Sequence, residues 1–223
     1  MPRPAPAYTR LRVDERRNQL LEAGAALFTD HAYEDITMAK IARAAGVSKP
    51  LLYHYFPSKI DLFKAAVAEN ADELRQLLEA PSGDTPAEQL THALVAYLEW
   101  IEQHERTWTK LIQSTATLPE ARQLVDEFRS RTLAELAQGL TGDPQPKPAL
   151  RTALHGWLGY IDSAILDWTA HHDLTRQQLR DLLLAAFGAA VLAAQQTDPS
   201  ITLAPPAQQE SPRPSGHETS WSS

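Results

Sequence analysis

Apolar side chains recur along this chain at spacings of three and four, and period-2 alternation is missing, so the chain reads as helical throughout. The first stripe is Leu20, Leu21, Gly24, Leu27 and Phe28, on a helix predicted to open at Asp14 and stop near Asp30. Glycine in mid-helix costs about 1 kcal/mol relative to alanine, so Gly24 predicts a second helix in close approach. Thr37 caps a short second helix carrying Ile41, Ala42 and Ala45, which Gly46 ends. Ser48 caps a third, with Pro50 tolerated in the first turn, and Pro57 closes it. Ser58 to Asp61 forms a capping box for a fourth helix, predicted to run to about Glu79.

After a break at 81–84, Thr85-Pro-Ala-Glu88 combines a cap, an N1 proline and a capping box. Leu90, Leu94, Tyr97, Ile101 and His104 follow on one face. A further helix is predicted before Pro119 and another after it, to Leu140. Beyond the proline-rich stretch 141–148, two long helices are expected over 149–171 and 175–195. From Thr197 the chain turns to Pro, Ser and Gln, a composition that predicts disorder. The expected fold is all-α: an N-terminal three-helix helix-turn-helix domain and a larger C-terminal helical bundle for ligand binding and dimerisation. The expected divisions are a flexible basic arm (1–13), the head (14–60), the body (61–196) and a disordered tail (197–223).

Residues 37–56 carry the functional signal. Two short helices meeting at Ala45-Gly46-Val47 have the layout of a helix-turn-helix. Ile41, Ala45, Val47, Leu52 and Phe56 are placed to seal them together and against Leu27 and Phe28. Lys49, Pro50, Leu51, Tyr53 and Tyr55 are then left to face outward. Tyrosine hydroxyls reach phosphate oxygens and small apolar groups meet thymine methyls, so this face suits a DNA groove. Lys59 begins the next helix, adding a cation at a positive dipole end, where a phosphate would sit.

The segment from Thr37 to Lys59, with the upstream Ala23-Gly-Ala-Ala-Leu-Phe28 and Tyr33, resembles the DNA-binding head of the tetracycline-repressor (TetR) family. The resemblance covers about residues 15–67. It implies that Lys49, Pro50 and Leu51 lie nearest base edges of a double-stranded operator. It implies further that Tyr53, Tyr55 and Lys59 bind the phosphate backbone, and that Thr37 meets a phosphate through its amide and hydroxyl. One departure stands out: Ala39 occupies a position where some members carry a guanine-reading arginine. Specificity is then left to Lys49 or to Arg3, Arg10 and Arg12 of the arm, which alternatively form a solvated tail. By the same resemblance the body is a homodimer formed through its last two helices, and the fourth helix is a lever between body and head.

Charge supports a divided molecule. The whole chain carries −7, yet residues 1–64 carry a net +3 and the remainder a net −10. Leu179, Leu182, Leu183, Ala186, Phe187, Ala190, Val191 and Ala194 give the last helix a broad apolar face, with Leu150, Leu154, Leu158, Ile161 and Ile165 on the helix before it. Tyr97, Trp100, His104, Trp108, Trp157 and Tyr160 are candidates to line a cavity for a small apolar or aromatic effector, beside Trp168. Glu99 and Asp162 raise the idea of a cationic ligand but are better read as solvated carboxylates, and His171-His172-Asp173 as a helix end rather than a metal site.

No cofactor or metal is expected. The chain lacks cysteine and lacks the nucleotide, zinc-protease and nucleophile-elbow motifs, so it does not read as an enzyme. The longest apolar run, 182–194, is 13 residues, short of the roughly 18–20 that span a bilayer. A cytoplasmic location is expected. The rival reading, a helical protein-interaction adaptor, leaves the Lys49, Tyr53, Tyr55 and Lys59 face without a purpose.

Overall fold

The computed structural model describes residues 7–78, 83 and 85–204, with side chains described from Asp14 onward. Among them are eight α-helices and no strand: α1 (Ala7–Asp30), α2 (Met38–Ala44), α3 (Lys49–Tyr55), α4 (Lys59–Leu78), α5 (Pro86–Ser114), α6 (Pro119–Thr141), α7 (Pro148–His171) and α8 (Arg176–Thr197). The helix expected at Asp14 begins at Ala7 instead, because no Pro or Gly interrupts 7–13 and its Arg and Leu residues are good helix formers. Half of the arm expected at 1–13 is therefore helical, and Arg3 lies outside the described residues.

The caps read from the sequence form as hydrogen bonds. Thr37 Oγ accepts from the Lys40 amide at 3.2 Å, Ser48 Oγ from Leu51 at 3.4 Å and Ser58 Oγ from Asp61 at 3.2 Å. Thr85 and Glu88 complete a reciprocal capping box, as do Thr175 and Gln178. The expected helix break before Pro119 is a kink inside one continuous helix. His104 leaves helical geometry (φ −119°, ψ 21°), and its Nδ1 sits 2.9 Å from the Trp100 carbonyl oxygen.

Three buried clusters organise the described residues, one in the head and two in the body. Leu20, Leu21, Ile41, Leu52, Leu62 and Phe63 form the head core, which also takes in Leu118 and Ala121 from the start of α6. The head is therefore packed onto the body. α4 joins the two, with Leu62, Phe63 and Ala66 in the head core and Leu74 in the body core. The body core holds Leu98, Ile101, Ile165, Leu179 and Leu183, where α7 and α8 pack along each other and onto α5.

The tail expected to be disordered from Thr197 docks for its first residues. Ile201 is buried with Leu150, Leu154, Val191 and Ala194, the Ala204 amide donates to the Leu140 carbonyl at 2.7 Å, and Lys147 Nζ donates to the Ser200 carbonyl at 2.7 Å. One isoleucine with a ready apolar socket outweighs a polar composition. Residues 205–223 lie outside the described residues.

Gly24 has the predicted neighbour: a methyl added there would meet Leu62 Cδ2 at 2.8 Å and Cγ at 3.1 Å, and Leu62 is fully buried. Overpacking costs about 1–3 kcal/mol against about 1 kcal/mol gained in helix propensity, so Gly24→Ala is expected to lower stability by about 1 kcal/mol. Gly139→Ala on α6, whose new methyl meets nothing within 4 Å, is expected to raise it by about 0.5–1 kcal/mol. Urea unfolding of both variants checks this; equal gains would refute the close packing.

Candidate nucleic-acid interface

The turn between α2 and α3 is built from hydrogen bonds that demand glycine. Gly46 adopts φ +65°, the Val47 amide donates to Ala42 at 2.9 Å and the Gly46 amide to Arg43 at 3.2 Å, which closes α2 in a Schellman arrangement. Gln19 of α1 donates to the Ala45 carbonyl at 3.3 Å and ties the turn to the head. Ile41 and Leu52 are fully buried, with Ala45 and Phe56 nearly so. Burial of Leu52 sets the rotation of α3. Lys49, Pro50, Tyr53 and His54, spaced i, i+1, i+4 and i+5, form one exposed stripe, with Tyr53 49% exposed.

The body holds a cavity of about 890 Å³, walled by residues of α4 to α8 and reaching Ala25, Phe28 and Thr29 of α1. Tyr97, Trp100, Trp108 and Trp157 line it. Trp108 Nε1 donates to the Tyr97 hydroxyl at 3.1 Å, and Trp157 Nε1 to the Leu183 carbonyl at 3.0 Å. Arg129 and Asp162 face each other in the wall as an ion pair.

Residues 20–66 match the family model described as bacterial regulatory proteins of the tetR family, and residues 86–190 match the tetracyclin repressor-like C-terminal domain. The HTH-type transcriptional activator FasR of Mycolicibacterium smegmatis is 39% identical over 107 residues, 46% of this chain; the chain spans about half of that relative (48%). An uncharacterized HTH-type regulator of Bacillus subtilis, YhgD, is 32% identical over 179 residues, covering 76% of this chain and 93% of the relative. The chain belongs to the TetR family. A crystal structure of a tetR-family regulator from Streptomyces coelicolor superposes with a TM-score of 0.72 at 25% identity, covering 84% of this chain and 85% of that one.

TetR-family proteins are DNA-binding transcriptional regulators and not enzymes; they bind operators as dimers and respond to small molecules. That sets the adaptor reading aside. No described helix is long and apolar enough to cross a membrane.

Against the TetR expectations for individual residues, the structure divides the ridge. Thr37, Lys49, Pro50 and Tyr53 are exposed and Leu51 is half-buried at the ridge edge. Tyr55 is turned away from Tyr53, half-buried against the head core, and meets the His54 ring edge-on at 5.4 Å. Two residues along a helix is a rotation of about 200°, so Tyr53 and Tyr55 cannot share a face. His54, one turn beyond Pro50, takes the place expected of Tyr55; the i+4 spacing was the available signal.

Lys59 folds back: Nζ donates to the Tyr33 carbonyl at 2.6 Å and lies 3.9 Å from the centre of the Tyr33 ring.

In the body, His104 and Tyr160 are not part of the cavity wall. His104 stacks on the Trp100 ring at 4.4 Å and approaches Glu73 of α4 at 3.8 Å, whereas Tyr160 is 39% exposed on the outer face of α7. Asp162 is no solvated carboxylate: its side chain is largely buried, and burial raises its carboxyl above the ordinary range while Arg129 opposes the rise. Glu99 is exposed and paired with Arg176 at 3.2 Å. His172, at φ 51°, is the C-cap of α7.

Because Lys59 is committed to Tyr33, Lys59→Ala is expected to cost about 1–2 kcal/mol of stability. Thermal unfolding of the variant beside Tyr33→Leu checks the pairing; additive losses in the double variant would show that the two side chains do not interact.

Proposed function

We propose that this TetR-family chain is a cytoplasmic repressor that grips a near-palindromic operator as a homodimer and releases it when a small apolar or aromatic effector enters the body cavity. The observation that carries the DNA role is the exposed Lys49, Pro50, Tyr53 and His54 stripe on a helix whose opposite face is sealed. In this reading α3 enters the major groove, with Lys49, Pro50 and Leu51 nearest base edges. Thr37 offers its hydroxyl to a phosphate, Tyr53 with His54 beside it reaches the backbone, and Lys59, beyond its bond to the Tyr33 carbonyl, has N–H donors left for a phosphate. Arg10 and Arg12 fall on the first turns of α1, where side chains are outside the described residues.

The dimer reading is supported by an apolar face that α7 and α8 leave open. Leu192 is 55% and Leu182 46% exposed, beside Ala185, Ala189 and Tyr160. Gly156, exposed on α7, has no atom within 4 Å of an added methyl, so a second helix can approach closely there. One head contacts too few bases for specificity, and a two-fold pair doubles the contacts.

The effector reading rests on the cavity touching both parts. Its wall includes Ala25, Phe28 and Thr29 of α1 as well as Trp157 and Phe187 deep in the body. An occupant that fits one arrangement of these helices better than another shifts operator affinity by its differential binding, typically about 1–3 kcal/mol.

Selection of bound duplexes from a random pool tests the proposal. The expected product is a site with two related half-sites about one helical turn apart. An asymmetric site, or no enrichment, would count against a paired head. On the selected site, Lys49→Ala is expected to lose about 1–3 kcal/mol and relax preference at one base pair in each half, while Leu192→Glu yields monomers that bind weakly. Gel shift and light scattering read these out, and Lys49→Ala with unaltered base preference would remove it from the reading residues.

A further inference from the structure

Three helices converge their polar groups on one stretch of the cavity wall. Asp162 of α7 uses a single oxygen, Oδ2, for Arg129 of α6, accepting from Nε at 3.0 Å and from a terminal guanidinium nitrogen. Its other oxygen, Oδ1, takes no hydrogen bond among the described residues. Tyr97 of α5 accepts from Trp108, but its own O–H has no acceptor among the described residues. Burial pushes the Tyr97 phenol well above its ordinary range, with the Asp162 charge adding to the effect, so the hydroxyl stays protonated and available as a donor. One donor and one acceptor on this wall are thus left without protein partners, near enough for the Asp162 charge to act on Tyr97, and Trp100 Nε1 is a further buried donor on the wall without a partner.

The charge of the wall is already balanced. Its charged side chains are Lys110, Arg129, Glu135 and Asp162, two of each sign. At this stretch of the wall a carboxylate would meet the like charge of Asp162, and an ammonium would compete with Arg129 for it, each giving up its hydration; Lys110 and Glu135 are the wall's other charges and make no ion pair among the described residues. A hydroxyl both donates and accepts, and so matches what is left. Trp157 and Phe187, edge-on at 4.7 Å, offer faces and edges to an aromatic body.

We propose that the cavity binds an uncharged apolar molecule bearing a hydroxyl, a phenol or alcohol, which accepts from Tyr97 and donates to Asp162 Oδ1. This rests on reading the cavity as the effector site and specifies the chemistry of what enters it.

The test is calorimetric titration of the full chain near neutral pH with four probes of similar shape: 4-butylphenol, butylbenzene, 4-butylbenzoate and 4-butylbenzylammonium. The phenol is expected to bind at least about tenfold more tightly than each of the others, the worth of roughly one hydrogen bond. Tyr97→Phe keeps the ring but also removes the acceptor of Trp108 Nε1, so its effect is read as the ratio of phenol to butylbenzene affinity in the same variant, and that ratio is expected to fall to about one. Asp162→Asn keeps an oxygen for Arg129 and turns Oδ1 into a donor, and is expected to weaken phenol binding likewise. Tighter binding of the benzoate or the ammonium overturns the proposal, as does a phenol advantage that survives Tyr97→Phe. Equal binding of phenol and butylbenzene overturns the hydroxyl anchor alone and leaves an apolar effector site standing. No binding by any probe overturns the anchor and counts against the cavity as an effector site.

Discussion

Burial of Leu52 is the constraint on which the rest depends. α3 has only seven residues, too few to hold helical form alone, so its orientation comes from the one face it buries. Leu52 and Phe56 fill that face beside Ile41, and the Gly46 turn leaves α3 no freedom to roll. Every outward-facing group on α3 is outward because these are inward. The sealing is supported from beneath by Gly24, which lets α4 come close enough for Leu62 to enter the same core. Interface and core are two sides of one packing solution.

Head and body are bound together more firmly than a two-domain division suggests. Leu118 and Ala121 extend the head core into α6, and α4 carries residues of both cores. The second half of α5 is fastened to the end of α1 by Arg106 with Asp30 at 2.7 Å and by Thr107 with Thr29 at 3.0 Å. The first half belongs to the body, and the two meet at the His104 kink, which the Tyr97–Trp108 hydrogen bond bridges. The exposed pairs add little energy, but they fix which part of α5 follows the head. The cavity draws its wall from these same elements, with Ala25, Phe28 and Thr29 of α1 beside residues of the body.

Much of this was legible in the sequence because the signals were local. Thr37, Ser48, Thr85 and Gly46 announce helix ends through chemistry confined to one turn, and all four perform it. Gly24 reported a neighbour through its cost in a helix. The failures are of a different kind. Tyr55 is left outward when Leu52 and Phe56 are assigned to the sealed face, yet helical phase turns it toward the core. Ile201 is lost in a polar tail because much of its socket, Ala137 of α6 and Leu150 and Leu154 of α7, lies far away in the sequence. Asp162 passed as a surface carboxylate because its partner Arg129 lies 33 residues away. His104 and Tyr160 share helices with the cavity residues and face elsewhere, a matter of rotation that spacing alone did not fix. Tertiary pairing decides such positions, and no window of neighbouring residues contains it.

The absence of cysteine permits a direct test of where α3 goes. A single cysteine at His54→Cys, carrying a tethered iron chelate that cleaves nearby backbone, is bound to a duplex the chain has selected; Gln177→Cys on the exposed side of α8 serves as the comparison. Strand scission is expected centred within each half-site from position 54 and none from position 177. Scission from 177 but not from 54 would contradict this, for the helix turned outward by Leu52 would then not be the one that meets DNA.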